Sequence, residues 1–161
     1  MSQSVTLNDR LKLTFPEGFQ VMDKAKREKL HFLEEGPGQA LSDPDRHIIV
    51  TVSWKKSAFS ALLLSAADAA RSMESKIRKP MQAYGYRSGG FASRTVGGEK
   101  AEGFSYAYDA GGTGMVGESL VLKHGKVFYY LHIYAREALK SESMEVWNGI
   151  LSSAVWTKSE P

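Results

Sequence analysis

Cysteine is absent from this chain of 161 residues, and histidine is scarce, with four in the whole sequence. The lack of cysteine excludes disulfide bonds, thiolate metal sites and a cysteine nucleophile. A histidine-based general base would have to be His31, His47, His124 or His132. None of these lies near a strained nucleophile turn such as G-x-S-x-G, so the sequence predicts that the protein is not an enzyme.

Long apolar runs are also missing. The longest run, residues 61–64, is followed by Ser65 and Asp68 and is far too short to span a bilayer. The first ten residues lack the cationic stretch and long apolar segment of a secretory signal. We therefore expect a cytoplasmic protein with no membrane partner.

Neither sign of charge dominates, since 21 Lys and Arg residues face 18 Asp and Glu residues and the net charge is +3. The densest basic clusters, residues 24–29 and 76–79, are short and flanked by acids or a proline, which is typical of a solvated surface. We expect no nucleic-acid partner. The hydrophobic content of 42% is enough for one core, so we predict a single domain over residues 1–161, with its core at about 11–156.

Apolar periodicity predicts the elements of the first half of the chain. Residues 11–15 alternate as a half-buried strand, residues 30–33 suggest a short strand, and residues 47–55 form a strand that is apolar on both faces. Turn-forming residues fill the connection from 36 to 45. A helix with Ser57 as its N-cap extends to Ile77 and is stopped by Pro80.

The second half of the chain predicts a meander of strands separated by glycine-rich turns. The strands are expected at residues 91–96, 101–108, 116–123 and 127–134. A second helix, capped by Ser141, and a last edge strand at 154–156 follow. The predicted fold class is α+β, with a curved antiparallel sheet that carries two helices.

Gly112, Gly114 and Gly117 complete a G-x-G-x-x-G pattern after a predicted strand. A dinucleotide site needs a helix to start at the last glycine, yet the following residues alternate as a strand. The pattern therefore indicates a hairpin and no nucleotide cofactor. Asp43, Asp45 and His47 are spaced by two and would share one face of an extended segment. They are the candidate metal ligands, and turn formation around Pro44 is the simpler explanation, so we predict no metal.

Aromatic side chains recur on the faces of two predicted meander strands. Such residues suit either a sheet face covered by a helix or a surface that binds a partner. The candidate partner-binding set consists of Tyr106, Tyr108, Phe128, Tyr130, His132 and Tyr134.

Four short segments add to the order of elements: the Phe-Pro-Glu-Gly-Phe turn at 15–19, and the segments 97–104, 125–130 and 150–156. Together with that order, they resemble the PsbP-like and Ran-binding Mog family over residues 11–156. The resemblance implies an α/β/α sandwich around an antiparallel sheet. It also implies a role without catalysis, as a photosystem subunit, a GTPase partner, a chaperone for secreted effectors or a bacterial protein of unknown function.

These observations favour a non-catalytic accessory or chaperone-like domain that binds a protein partner. The residues leave open the identity of that partner and the oligomeric state of this chain. The alternative is a small-molecule-binding protein or hydrolase with a pocket between helix and sheet, using His132 or His47 as its polar group.

Overall fold

The computed structural model describes residues 2–23, 37–56 and 64–157. The strands and helices in these ranges are numbered in chain order. The strands are β1 Gln3–Leu7, β2 Leu11–Phe15, β3 Gln20–Val21, β4 Gly38–Asp43, β5 Ile48–Lys56, β6 Arg87–Val96, β7 Glu99–Ala110, β8 Thr113–His124, β9 Val127–Arg136 and β10 Val155–Trp156. The helices are α1 Ala66–Met81 and α2 Lys140–Ser152.

The strands form two antiparallel sheets. The larger sheet has the order β3-β4-β5-β9-β8-β7-β6, and β6 to β9 are consecutive hairpins, which confirms the predicted meander. Strand β5 lies inside this sheet between β4 and β9. Strands β1, β2 and β10 form the smaller sheet. The predicted strands at 11–15 and 154–156 are therefore present, whereas the strand suggested at 30–33 lies outside the described residues.

Three strands were not expected from the sequence, namely β1, the two-residue β3 and β4. Strand β1 buries Val5 and Leu7 by simple alternation, and a turn containing Asn8 and Asp9 at positive φ joins it to β2. Strand β4 occupies part of the connection that was predicted to consist of turns, because it pairs with β3 and β5 and buries Ala40 and Leu41 on the two faces of the sheet.

The glycine-rich hairpins form as predicted. Gly111 and Gly112 join β7 to β8 with φ of 56° and 83°, which side-chain-bearing residues rarely adopt. Strand β8 then starts at Thr113, so the other two glycines of the G-x-G-x-x-G pattern lie within a strand. No helix N-terminus is available there for a pyrophosphate.

Helix α1 begins with a reciprocal capping box. The side chain of Ser65 accepts from the Asp68 N–H at 3.1 Å, and the Asp68 carboxylate accepts from the Ser65 N–H at 3.3 Å. The described helix therefore starts at Ala66, and the predicted cap at Ser57 lies outside the described residues. The helix continues through Pro80 to Met81, so the prediction that Pro80 stops it is wrong. Because Pro80 lies in the last turn, its missing N–H removes only one hydrogen bond of the helix.

Helix α2 starts at Lys140, so the predicted cap at Ser141 is wrong. A 3₁₀ turn over Glu137–Leu139 leads directly into the helix, and the Lys140 N–H bonds to the Glu137 carbonyl. Backbone contacts thus take the place of a side-chain cap. Neither helix in the described ranges is long and apolar enough to cross a bilayer.

The two helices cover opposite faces of the larger sheet. Met73 and Ile77 of α1 belong to a core cluster with Phe104, while Trp147 and Ile150 of α2 belong to a second cluster that includes both sheets. This arrangement is the predicted α/β/α sandwich. It also explains why β5 and β9 are apolar on both faces.

Candidate functional site

The predicted partner-binding set lies together on the face of the larger sheet that α1 covers. Its members other than Tyr130 are buried, with exposures between 1% and 8%. Tyr130 is half-buried. The five buried side chains are core residues in this conformation, and Tyr130 is the partly accessible member of the set. The packing alternative accounts for their position, since a helix covers the aromatic strands.

Ser119 and His132 form a hydrogen bond within this face. They lie opposite each other on β8 and β9, and Ser119 Oγ is 2.7 Å from His132 Nδ1. Burial lowers the pKa of His132 to about 4, so its ring is neutral at pH 7. His132 Nε2 has no hydrogen-bond partner among the described residues, so no carboxylate orients the ring as in a catalytic triad.

The candidate metal ligands do not form a metal site in the structure. Asp43 is buried at the end of β4. Its carboxylate accepts two hydrogen bonds from Arg46, one from the backbone N–H at 3.2 Å and one from the guanidinium at 2.8 Å. Asp45 and His47 are exposed, and His47 has a φ of 57° within the turn. The segment is therefore not extended. Within residues 2–23, 37–56 and 64–157, no group of three acidic or histidine side chains is arranged to hold a metal ion.

His124 makes contacts between elements of the fold. His124 stacks on Trp156 with ring centroids 3.9 Å apart, and its Nδ1 is 3.3 Å from a Glu99 oxygen. This contact joins the larger sheet to β10. His31 lies outside the described residues.

The most accessible part of the larger sheet is strand β6. It ends the strand order, pairs with β7 on one side, and is exposed at every residue from Arg87 to Ser93. The sequence predicted a strand only from residue 91. The earlier residues were missed because Ser88, Gly89 and Gly90 show no apolar alternation, although a small-residue run before a strand is a usable signal of a bulge.

The bulge lies between Ser88 and Gly90. A Cβ on Gly89 would be 2.4 Å from the Ser105 hydroxyl, so only glycine fits at this point. The extra residue changes which side chains share a face. Arg87 pairs with Ala107 and Arg94 with Ala101, six positions apart on β7, so both arginines lie on the α2 face.

Both arginines form ion pairs with acidic residues of the larger sheet, Arg87 with Asp109 on β7 and Arg94 with Glu118 on β8. Arg94 donates to Glu118 through Nε at 2.7 Å and Nη2 at 2.9 Å. Glu118 also accepts from the Trp147 indole at 2.9 Å, which ties the edge to the core. Arg87 Nη1 lies 3.2 Å from an Asp109 oxygen. The two guanidinium groups are therefore positioned before any partner arrives.

The other face of β6 carries an exposed aromatic ring. Phe91 is 55% exposed and packs on Phe104 with ring centroids 5.9 Å apart. On the α2 face, a groove of about 190 Å³ separates the bulge from the start of α2. Its lining includes Ser88, Ser105 and Lys140. The edge thus combines open backbone, an apolar contact and a polar groove.

Solved structures with the same fold come from different organisms. The cyanobacterial PsbP protein CyanoP from Synechocystis matches with a TM-score of 0.69 and 13% identity, covering 97% of this chain and 92% of that protein. LpqN of Mycobacterium tuberculosis, which is involved in cell envelope biogenesis, matches with a TM-score of 0.60 and 14% identity, covering 98% and 91%.

The yeast Ran-binding protein Mog1p also matches, with a TM-score of 0.52 and 11% identity, covering 96% of this chain and 94% of that protein. No protein-family model matches the sequence. No curated protein matches it significantly. At these identities the likeness extends to the fold alone, and it confirms the fold that the sequence resemblance implies. The chain has the α+β fold shared by PsbP-like and Mog-like proteins.

Proposed function

We propose that this chain is a non-catalytic accessory domain that binds a protein partner by adding an extended segment of that partner to strand β6. The observation that carries the proposal is the exposed, one-sided pairing of β6 over Arg87–Ser93. The backbone groups of an edge strand that face away from its neighbour are free to pair with another chain. The opposite end of the described sheet is β3, which has only two residues and offers a much shorter template.

A foreign segment suits this edge better than a second copy of the chain. The antiparallel register that aligns residues 87–94 with themselves would place Arg87 of one copy opposite Arg94 of the other, at both ends of the pairing. Like charges directly opposite each other destabilise strand pairing. The expected partner segment is therefore neutral or acidic.

The two faces of β6 set further requirements on that segment. On the α1 face, an apolar side chain of the partner would pack beside Phe91. On the α2 face, the edge offers only Gly90 and Ala92 between the two arginines, so a longer partner side chain has room to lie over them. These features predict an extended segment with alternating apolar and polar side chains.

Two further observations support a binding role. The contact between Ser119 and His132 is buried and has no orienting carboxylate in the described part of the chain, which does not favour catalysis. Mog1p is described as a Ran-binding protein, so one protein with this fold binds another protein. That partner is not transferred to this chain, and a cytoplasmic location stays a prediction.

Affinity purification with matched edge variants tests the proposal. Phe91→Lys places a charge on β6, whereas Val21→Lys makes the same change at a residue of similar exposure, 54%, on β3. A specific partner should be recovered by the wild type and Val21→Lys, and lost with Phe91→Lys. Hydrogen exchange with the purified partner should then show new protection at residues 87–95.

Three results would contradict the proposal. These are equal recovery by both variants, protection that lies away from β6, and a concentration-dependent dimer of this chain that Phe91→Lys abolishes. Circular dichroism and thermal unfolding of both variants establish that each is folded before binding is compared.

A further inference from the structure

A row of polar side chains crosses the middle of the sheet face beneath α1. Thr51 on β5 lies opposite His132 on β9, which lies opposite Ser119 on β8. Tyr106 on β7 belongs to the same face. Their exposures are between 0% and 3%, so all four are removed from solvent. A sheet face covered by a helix normally presents apolar side chains, and this polar row needs a separate explanation.

The row has more hydrogen-bonding groups than its own contacts use. Ser119 and His132 satisfy each other through Oγ and Nδ1. Either neutral tautomer of His132 still leaves Nε2 as a buried donor or acceptor. Nε2 and the Thr51 hydroxyl have no hydrogen-bond partner within the ranges that the structure describes. The Tyr106 hydroxyl lies close to the side chains of Ser119 and Tyr134 without a well-aligned hydrogen bond to either. Buried polar groups in that state are unfavourable unless something binds them.

Gly117 allows the Tyr106 ring to reach this row. Tyr106 and Gly117 are paired across β7 and β8, and a Cβ at Gly117 would lie 2.6 Å from the ring and 2.8 Å from its hydroxyl. The ring therefore lies across β8 where any other residue would block it. Burial raises the pKa of Tyr106 and the Tyr134 hydroxyl raises it further, so the Tyr106 hydroxyl stays protonated.

The chemistry of the row selects a neutral ligand. None of its four members carries a charge at pH 7, and no Lys, Arg, Asp or Glu belongs to it. A charged ligand would lose its hydration without gaining an opposite charge. Helix α1 contributes Ala66, Ala69 and Ala70 to the core on this face, and these small side chains carry no polar group that could pair with the row.

We propose that Thr51, Ser119, His132 and Tyr106 form a binding site for a small neutral molecule that carries hydroxyl or carbonyl oxygens. The ligand oxygens accept from His132 Nε2–H and exchange hydrogen bonds with the Thr51 and Tyr106 hydroxyls. This site is independent of β6, so either proposal can fail without the other.

Two probes of nearly equal size separate neutral from charged ligands. Acetamide and acetate are titrated into protein labelled with ¹⁵N at histidine. Acetamide should shift the His132 ring nitrogens in a saturable way and raise the melting temperature, whereas acetate should do neither. Glycerol provides a second neutral probe, with hydroxyl groups in place of the amide.

Variants that remove one hydroxyl each test the assigned residues. Thr51→Val and Tyr106→Phe should each weaken acetamide binding about tenfold, the usual scale for one lost hydrogen bond. Tyr108→Phe is the matched control, because Tyr108 is buried on the same face outside the row, and it should bind as the wild type does. The amide spectrum of each variant confirms that it is folded.

Several results would overturn the proposal. They are an unshifted His132 up to the solubility limit of acetamide and glycerol, equal responses to acetamide and acetate, and unchanged affinity in Thr51→Val and Tyr106→Phe. Long-lived water contacts at His132 that no probe displaces would also overturn it, because the row would then hold structural water only.

Discussion

Acidification is expected to destabilise the protein through His132. The ring is buried on β9, between β5 and β8, and burial lowers its pKa from 6.5 to about 4. The groups that face it on the neighbouring strands are the hydroxyls of Ser119 and Thr51, which carry no charge. Between pH 6.5 and pH 4 the unfolded chain therefore takes up a proton that the folded chain does not, and stability falls as the pH falls through this window.

The size of the effect follows from the difference between the two pKa values. A change from 6.5 to about 4 corresponds to about 3 kcal/mol of unfolding free energy, fully lost once the pH is below 4. Urea unfolding at several pH values from 7 to 4 measures this loss. The wild type should lose about 3 kcal/mol more over that range than His132→Gln, which has no ring to protonate.

A control variant and an NMR titration test whether the loss of stability comes from His132. His47→Gln changes an exposed histidine and should keep the pH dependence of the wild type. In a titration of the wild type followed by NMR, the His132 ring should stay neutral until the pH approaches 4. Equal pH slopes for the wild type and His132→Gln, or a His132 titration near pH 6.5, would refute the reasoning.

Two further predictions concern the edge and the aromatic face, and both are measured by urea unfolding. Glu118→Gln removes the carboxylate charge that pairs with the Arg94 guanidinium and accepts from the Trp147 indole, and should cost about 2 kcal/mol. Glu102→Gln, at a half-buried residue whose ion-pair partner Lys100 is exposed, should change stability by less than about 0.5 kcal/mol. Gly117→Ala places a methyl against the Tyr106 ring and should cost about 1–3 kcal/mol, whereas Gly149→Ala, in open space on a helix, should stabilise by about 0.5–1 kcal/mol. Equal losses of stability in Glu118→Gln and Glu102→Gln would contradict the role given to the contacts of Glu118. Equal effects of Gly117→Ala and Gly149→Ala would contradict the close contact between Gly117 and the Tyr106 ring.

The meander could be predicted because its signals are local. Each strand is long enough to show alternation, and each turn carries glycines where the backbone needs positive φ, such as Gly97 and Gly98 with φ of 59° and 78°. The start of α1 was harder to place. Ser57 and Ser65 are both reasonable caps, and only Ser65 has an acidic residue three positions later to complete the capping box.

The missed strands have weaker signals. Strand β1 buries only Val5 and Leu7, and the usable sign was the Asn8-Asp9 pair, since these residue types tolerate the positive φ that the turn requires. Strand β4 has a single apolar pair at its centre and forms a hairpin with β5. Glycine, serine and aspartate make up half of its residues, and these residue types favour turns in a reading of the local sequence.

The site was harder to predict than the fold because both faces of the central strands are covered. An aromatic residue such as Tyr134 then satisfies the pattern of a core position and that of a binding face equally well. The contact between Ser119 and His132 joins residues 13 positions apart that periodicity alone does not align. The β6 edge depends on strand order, which a list of strands does not contain.

The bulge at Ser88 and Gly90 also has a consequence for solubility. An open strand of ten residues is a template for uncontrolled assembly, and a bulge interrupts the regular spacing that such stacking requires. Removing Gly89 would leave the pairs on either side intact and make the edge regular. The chain would then be more prone to aggregate, so the irregular residue that shapes the edge also protects the protein from its own copies.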